Sequence, residues 1–228
     1  MQKDRLSEWF VPKFGTRNFR LGIGILFLPY TGMVLAFAAW GSLVVDYSLE
    51  RLGAICLLYF LALGISAHCL DALGSKTKPW GFLSKKKLWI ISLITLSGAI
   101  IIGFHYAFLD SPLLIPIGIV EIFFLVSYNL ELFNGKFHNN SSFVLSWGVL
   151  PVLAGTIIQI NSITLESFAL SVVAGILSYI LIKTSGIYKN LKKQSAEISL
   201  IYKKEIVLKL ISSGVILSTI LFFLIRHL

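Results

Sequence analysis

Charge is scarce in this chain. Of its 228 residues only 14% are Asp, Glu, Lys or Arg, against about a quarter in a soluble globular domain. That shortage excludes an ordinary water-soluble enzyme, and a hydrophobic content of 56% excludes disorder, which needs low hydrophobicity and high charge. Cysteine is limited to Cys56 and Cys69 in one apolar run. At about 1.5 Å per helical residue they stand roughly 20 Å apart, so no disulfide joins them and no disulfide scaffold exists. Also missing are low-complexity tracts, long linkers, sequence repeats, a Gly-rich phosphate loop after a strand, a nucleophile elbow and a paired-Cys metal motif. No cleavable signal peptide is expected, because the first apolar stretch far exceeds a signal core of roughly 7–15 residues.

What the chain does have is long apolar runs, with a mean hydropathy of +0.83. Seven runs bounded by charge or turn residues cover roughly 21–44, 53–72, 88–105, 113–128, 142–160, 165–182 and 207–225. A span of about 20 apolar residues crosses a bilayer, and only a helix satisfies its own backbone there. The expected fold is therefore an all-α, polytopic transmembrane bundle of about seven spans. It forms a single membrane domain over 1–228, opened by a basic arm at 1–20. Pro29 and Pro151 predict kinks. The arm mixes Trp9, Phe10, Val11 and Phe14 with basic residues; it reads equally as an amphipathic surface segment or a solvated tether.

The basic residues orient this bundle. With the N-terminus inside, 18 of the 20 Lys and Arg residues fall on the arm and the second, fourth and sixth loops with their flanks; only Arg51 and Arg226 fall outside. Such a positive-inside excess predicts an integral cell-membrane protein with a cytoplasmic N-terminus and an external C-terminus. The net charge of +9 is then a topology signal rather than a nucleic-acid footprint, and the expected partners are membrane lipids, anionic head groups among them.

Polar groups kept at membrane depth mark candidate function. The second span ends in Ser66-Ala67-His68-Cys69-Leu70-Asp71 and runs into Lys76-Thr77-Lys78-Pro79-Trp80-Gly81. His68 and Asp71, three apart, share a helix face. With Lys76 and Lys78 they suit a diphosphate, with or without a metal; a helix end reaching interfacial water is the plainer reading. Tyr128-Asn129-Leu130-Glu131 precedes Gly148-Val149-Leu150-Pro151-Val152-Leu153-Ala154-Gly155, whose small residues let helices approach closely. Glu121 stands alone inside the fourth run, either as a transporter's proton or cation group or as a hydrogen-bonded core acid.

In order and spacing these features resemble the UbiA-type intramembrane prenyltransferases. Asp71, Lys78-Pro79, Gly81 and Ser84 are similar to the end of that family's first Asp-rich loop. Tyr128-Asn129-Leu130-Glu131 and the Gly148–Gly155 helix are similar to the segments around its fourth and fifth helices. The resemblance implies a helical enzyme that moves a prenyl chain from a prenyl diphosphate to an aromatic or lipid acceptor. It implies Asp71 and His68 as catalytic residues, Asp71 as a Mg²⁺ ligand, and Lys76, Lys78, Tyr128, Asn129 and Lys189 as contacts to the isoprenoid diphosphate.

The chain also departs from the pattern. Leu63, Gly64 and Ala67 stand where the first motif has its earlier polar ligands, and Thr184, Ile187 and Leu191 fall near the acids of the second. Seven spans replace the usual nine. Mg²⁺ relies on carboxylates and substrate phosphates, and it neutralises a departing diphosphate. With one matching acid left, Mg²⁺-dependent transfer is expected to be weak. Isoprenoid binding should survive, since burial stabilises a tail by about 0.8 kcal/mol per CH₂ without a metal. The alternatives are a catalytically degenerate lipid-binding or membrane-complex subunit and, behind it, a small transporter using Glu121.

Overall fold

The computed structural model of the chain describes residues 5–75, 80 and 83–228. All seven apolar runs are helices. The first divides into α1 (Arg17–Ile25) and α2 (Leu28–Leu43). The rest are α3 (Leu49–Gly74), α4 (Lys85–Leu109), α5 (Leu114–Asn129), α6 (Asn140–Ile160), α7 (Leu165–Lys193) and α8 (Ile198–Ile225). Counting Arg17–Leu43 as one, six are long and apolar enough to cross a membrane. α5 has 16 residues and rises about 24 Å, short of a hydrocarbon core of about 30 Å.

Both prolines act where expected. Pro29 has no N–H for the Ile25 carbonyl, and the chain breaks just before it at Phe27, which is left-handed (φ 44°, ψ 49°). Pro151 likewise withholds an N–H from the carbonyl of Trp147, and Leu145–Val149 just upstream is a wider π-helical turn. A second π segment, Phe60–Ala67, lies in α3.

α2 and α6 form the centre. A Cβ on Gly41 would strike the Val152 carbonyl, and one on Gly155 would strike that of Ala38. This approach lets Ser42 Oγ donate to the Gly155 carbonyl (2.9 Å) and Thr156 Oγ1 to that of Gly41 (2.8 Å). Small residues and interhelical hydrogen bonds are the usual means of joining helices in lipid. Gly148 gives α6 a similar approach to Ala174 and Ser178 of α7. Leu and Ile side chains on the outer faces of α4, α7 and α8 stay exposed, as lipid-facing residues should.

Side-chain staples gather the loops at one end. Arg51 holds Asp110 through both nitrogens (3.0 and 2.6 Å), Asn161 accepts from Leu113 N (3.0 Å), and Gln159 accepts from Ser48 N (2.9 Å). Arg226 donates to the Val45 carbonyl (2.9 Å). The two basic residues outside the charge asymmetry, Arg51 and Arg226, are thus both used at this end.

At the other end two details differ from expectation. α7 continues to Lys193 and α8 begins at Ile198, so the sixth loop is mostly helical extension around a short turn. The arm is not a solvated tether but packs against the bundle. Glu8 pairs with Lys192 (3.0 Å) and accepts from Tyr188 Oη (3.0 Å) on α7. Arg20 clasps the Pro12 and Leu6 carbonyls (2.7 and 2.9 Å). Val11 of the arm joins Phe27 and Trp80 in a small second core. These contacts fold the arm over the bundle end.

Candidate functional site

Beneath the folded arm lies a cavity of about 220 Å³. The ends of α3, α5 and α7 and the arm build it. α3 supplies His68 and Asp71, α5 supplies Tyr128 and Asn129, α7 supplies Ser185 and Lys189, and the arm supplies Arg5. Five sequence candidates, His68, Asp71, Tyr128, Asn129 and Lys189, therefore face one space. Lys76 and Lys78 lie outside the described residues.

Local structure explains the convergence. The π segment of α3 ends at Ala67, immediately before His68, and that of α6 contains Ser146 and Trp147. A π turn shifts the register of the side chains that follow it, and such turns recur at functional sites. One turn beyond Asp71, Gly74 has no side chain because the Asn129 carbonyl sits where a Cβ would be. That contact locks the end of α3 against the end of α5 and brings Asp71 beside Asn129.

His68 is 7% exposed and packed between rings. Phe27 stacks on it at 4.8 Å, and Trp147 lies tilted against it at 5.4 Å. Its Nε2 is 3.4 Å from Thr31 Oγ1, which is also 2.6 Å from the Leu26 carbonyl. Thr31 has one hydroxyl proton, and the shorter contact takes it. The network then assigns the proton to Nε2 and leaves Nδ1 as an acceptor.

The rings continue on both sides. Phe10 stacks on Phe27 at 4.6 Å, Trp147 on Phe143 at 5.3 Å, and Tyr128 on His138 at 4.4 Å. An aromatic arc from the arm to the α5–α6 loop thus borders the polar cavity. His138 Nδ1 meets the Tyr128 carbonyl at 2.9 Å, and Glu131, left-handed at φ 51°, turns the loop so that both residues line the cavity. Asn129 donates from Nδ2 to the Leu125 carbonyl (2.7 Å), which leaves its Oδ1 as an acceptor.

A second cavity of about 180 Å³ lies among α3, α4 and α5. Leu63 and Leu125 line it, and exposed Phe104 and Ile119 form its rim, so it opens on the lipid-facing surface. Its lining is apolar apart from Tyr59 and Glu121. Leu125 is one helical turn from Asn129, about 6 Å along the axis, so the apolar groove adjoins the polar cavity. Glu121 is engaged from both sides: Tyr59 Oη donates to one oxygen (3.0 Å) and Ser146 Oγ to the other (2.9 Å). That arrangement satisfies a core acid.

Among the described residues no three His, Cys, Asp or Glu side chains group closely enough to hold a metal, and Asp71 and Glu131 are the only carboxylates lining the polar cavity. Mg²⁺ is usually held by one or two carboxylates together with waters and substrate phosphates, so Asp71 and Glu131 are the side chains here that would hold it. Two cations, Arg5 and Lys189, match these two acids. Lys189 reaches the cavity from an exposed position on α7. Arg5 lies over the Phe27 and Trp80 rings (5.4 and 5.6 Å to the centroids), and its Nη1 is buried without a hydrogen-bond partner among the described residues.

Arg5 and His138 were not among the sequence candidates, and Glu131 was read only as part of the Tyr128–Glu131 segment. The aromatic-basic mixture of the arm was the only signal for Arg5. Glu131 and His138 owe their place to left-handed turns at Glu131, Phe133 and Asn134, which no periodicity announces. No protein-family model matches this chain, and neither a curated protein nor a solved structure shows significant similarity to it.

Proposed function

We propose that this chain is a UbiA-like membrane protein of seven spans, with a cytoplasmic N-terminus and an external C-terminus, that binds an isoprenoid or isoprenyl diphosphate. The head group sits in the polar cavity beneath the arm, and the tail lies in the apolar groove among α3, α4 and α5. Mg²⁺-dependent prenyl transfer to an aromatic or lipid acceptor is weak or absent. The protein acts mainly as a carrier or binding subunit for its lipid.

One observation carries this reading: His68, Asp71, Tyr128, Asn129 and Lys189, chosen from separate stretches of sequence, line a single cavity whose neighbour is apolar and open toward lipid. A polar chamber beside a greasy groove fits an amphiphile with one compact head and one long tail. The aromatic arc offers flat faces to isoprene units or to an aromatic head. The weak transfer follows from the donor set, since ionising an allylic diphosphate needs strong charge stabilisation.

The test is to purify the protein from membranes in a mild detergent and analyse its extracted lipids by mass spectrometry. An isoprenoid enriched well above its share of the membrane extract is expected. A lipid profile identical to bulk membrane would count against the proposal.

A further inference from the structure

We propose that the polar cavity recognises a phosphorylated head group without a metal, through Arg5 of the N-terminal arm acting with Lys189, so that the arm is part of the binding site. The inference deepens the isoprenoid reading and rests on it for the identity of the tail. It stands on separate observations for the head.

A buried guanidinium N–H without an acceptor is costly, because a lost hydrogen bond to a charged donor is among the larger single penalties in a folded protein. Arg5 Nη1 is in that position. The indole Nε1 of Trp80, in the same cluster, is also buried without a partner. The arm is nonetheless fastened firmly enough to keep Arg5 there: Glu8 grips Lys192 and Tyr188, and Arg20 grips the two arm carbonyls.

Arg5 and Lys189 enter the cavity from different elements, so a ligand oxygen between them would meet positive charge from two directions. Guanidinium donors match phosphate geometry in pairs, and an ammonium acts as a compact point charge. Asp71 and Glu131, also in the lining, balance the two cations when no anion is bound and offer acceptors to a protonated phosphate or hydroxyl. The Phe27 and Trp80 rings hold the guanidinium in place by cation–π contact.

The phosphate could belong to an isoprenyl diphosphate or to an anionic phospholipid, and the experiment separates these sources. Full-length protein in detergent is titrated, with excess chelator and again with Mg²⁺, against inorganic pyrophosphate, a C20 isoprenyl diphosphate, the corresponding alcohol and phosphatidic acid. Tryptophan fluorescence reports binding, since Trp147 lines the cavity and Trp80 contacts Arg5. The isoprenyl diphosphate should bind about tenfold or more tightly than its alcohol in chelator, with no gain from Mg²⁺. Arg5→Gln should lower diphosphate and pyrophosphate affinity about tenfold, the scale of one charged hydrogen bond, and leave the alcohol unchanged. Lys86→Gln, an exposed site at the start of α4, removes equal charge and should leave every affinity unchanged.

Equal loss for alcohol and diphosphate in Arg5→Gln, no loss for either, or a phosphate preference that vanishes in chelator would overturn the inference. If the alcohol binds under any of those outcomes, the isoprenoid reading stands alone. Conversely, Arg5-dependent binding of pyrophosphate or phosphatidic acid, with neither isoprenoid bound, keeps the anion site and overturns the isoprenoid reading. No binding by any probe overturns both.

Discussion

At the scale of single residues, the ends of the bundle differ in how they use charge. At the loop end opposite the arm, the Arg51 guanidinium beside Asp110 holds its carboxyl below the usual carboxylate range, with a smaller contribution from Ser111 Oγ. A depressed folded-state value stabilises the protein above the unfolded value of about 3.9 and ceases to do so as pH falls through the lowered one. Asp110→Asn should therefore lower the thermal midpoint modestly at pH 7, and the deficit should shrink as the pH falls below the unfolded value. Thermal denaturation of both proteins in detergent across that range checks it; a deficit independent of pH would assign the effect to shape rather than charge. At the arm end Lys192 pairs with Glu8, but one cation stands apart. Arg5 has a buried, unsatisfied N–H, whereas the cations at the far end are paired.

At the scale of elements, the crossing of α2 and α6 fixes the site. Gly41 and Gly155 place each backbone where the other's side chain would be, and the same α6 carries Trp147 onto His68. Gly155→Val should destabilise by about 3 kcal/mol, the upper part of the range for overpacking, because the obstructing atom is a backbone carbonyl that cannot rotate away. It should also weaken binding in the cavity by moving Trp147. Gly118→Val on α5, where a Cβ meets nothing within 4 Å, should change stability little. Thermal midpoints of the two variants give the comparison; equal effects would remove the crossing from its central role.

The elements were largely legible in the sequence. Apolar runs bounded by charge located all seven helices, and Pro29 and Pro151 marked the break and the π turn. The π segment of α3 was not legible, since Phe60–Ala67 contains no proline and its register depends on packing against Thr31 and Ser92. Of the site, the residues near helix ends were readable as polar groups at shared depth. Arg5 was not, because its place depends on the arm folding back through Glu8 and Arg20 over distances of sequence that no local pattern encodes.

At the scale of the whole molecule, one asymmetry organises the account. Both Arg51 and Arg226 sit with the short stapled loops, and the opposite end carries the other described Lys and Arg residues, the folded arm and the polar cavity. If that end is cytoplasmic, a reporter fused after Ser199 reads cytoplasmic and one fused after Leu228 reads external. Swapped readings, external after Ser199 and cytoplasmic after Leu228, would break the seven-span topology and point to α5 as a helix that does not cross; identical readings would say the same of α8. The proposed head site then opens to the cytoplasm, where phosphorylated isoprenoids would meet it, while the tail groove remains within the bilayer.

The most direct test of the central claim is photo-crosslinking of the purified protein with a C20 isoprenyl diphosphate that carries a photoreactive group on its tail, in excess chelator, followed by peptide mapping. The account predicts saturable labelling of α3 and α5 peptides that contain Leu63 and Leu125, reduced by unlabelled diphosphate and retained without Mg²⁺. Labelling spread over the lipid-facing surfaces of α4, α7 and α8 with no competition, or labelling that appears only with Mg²⁺, would contradict it.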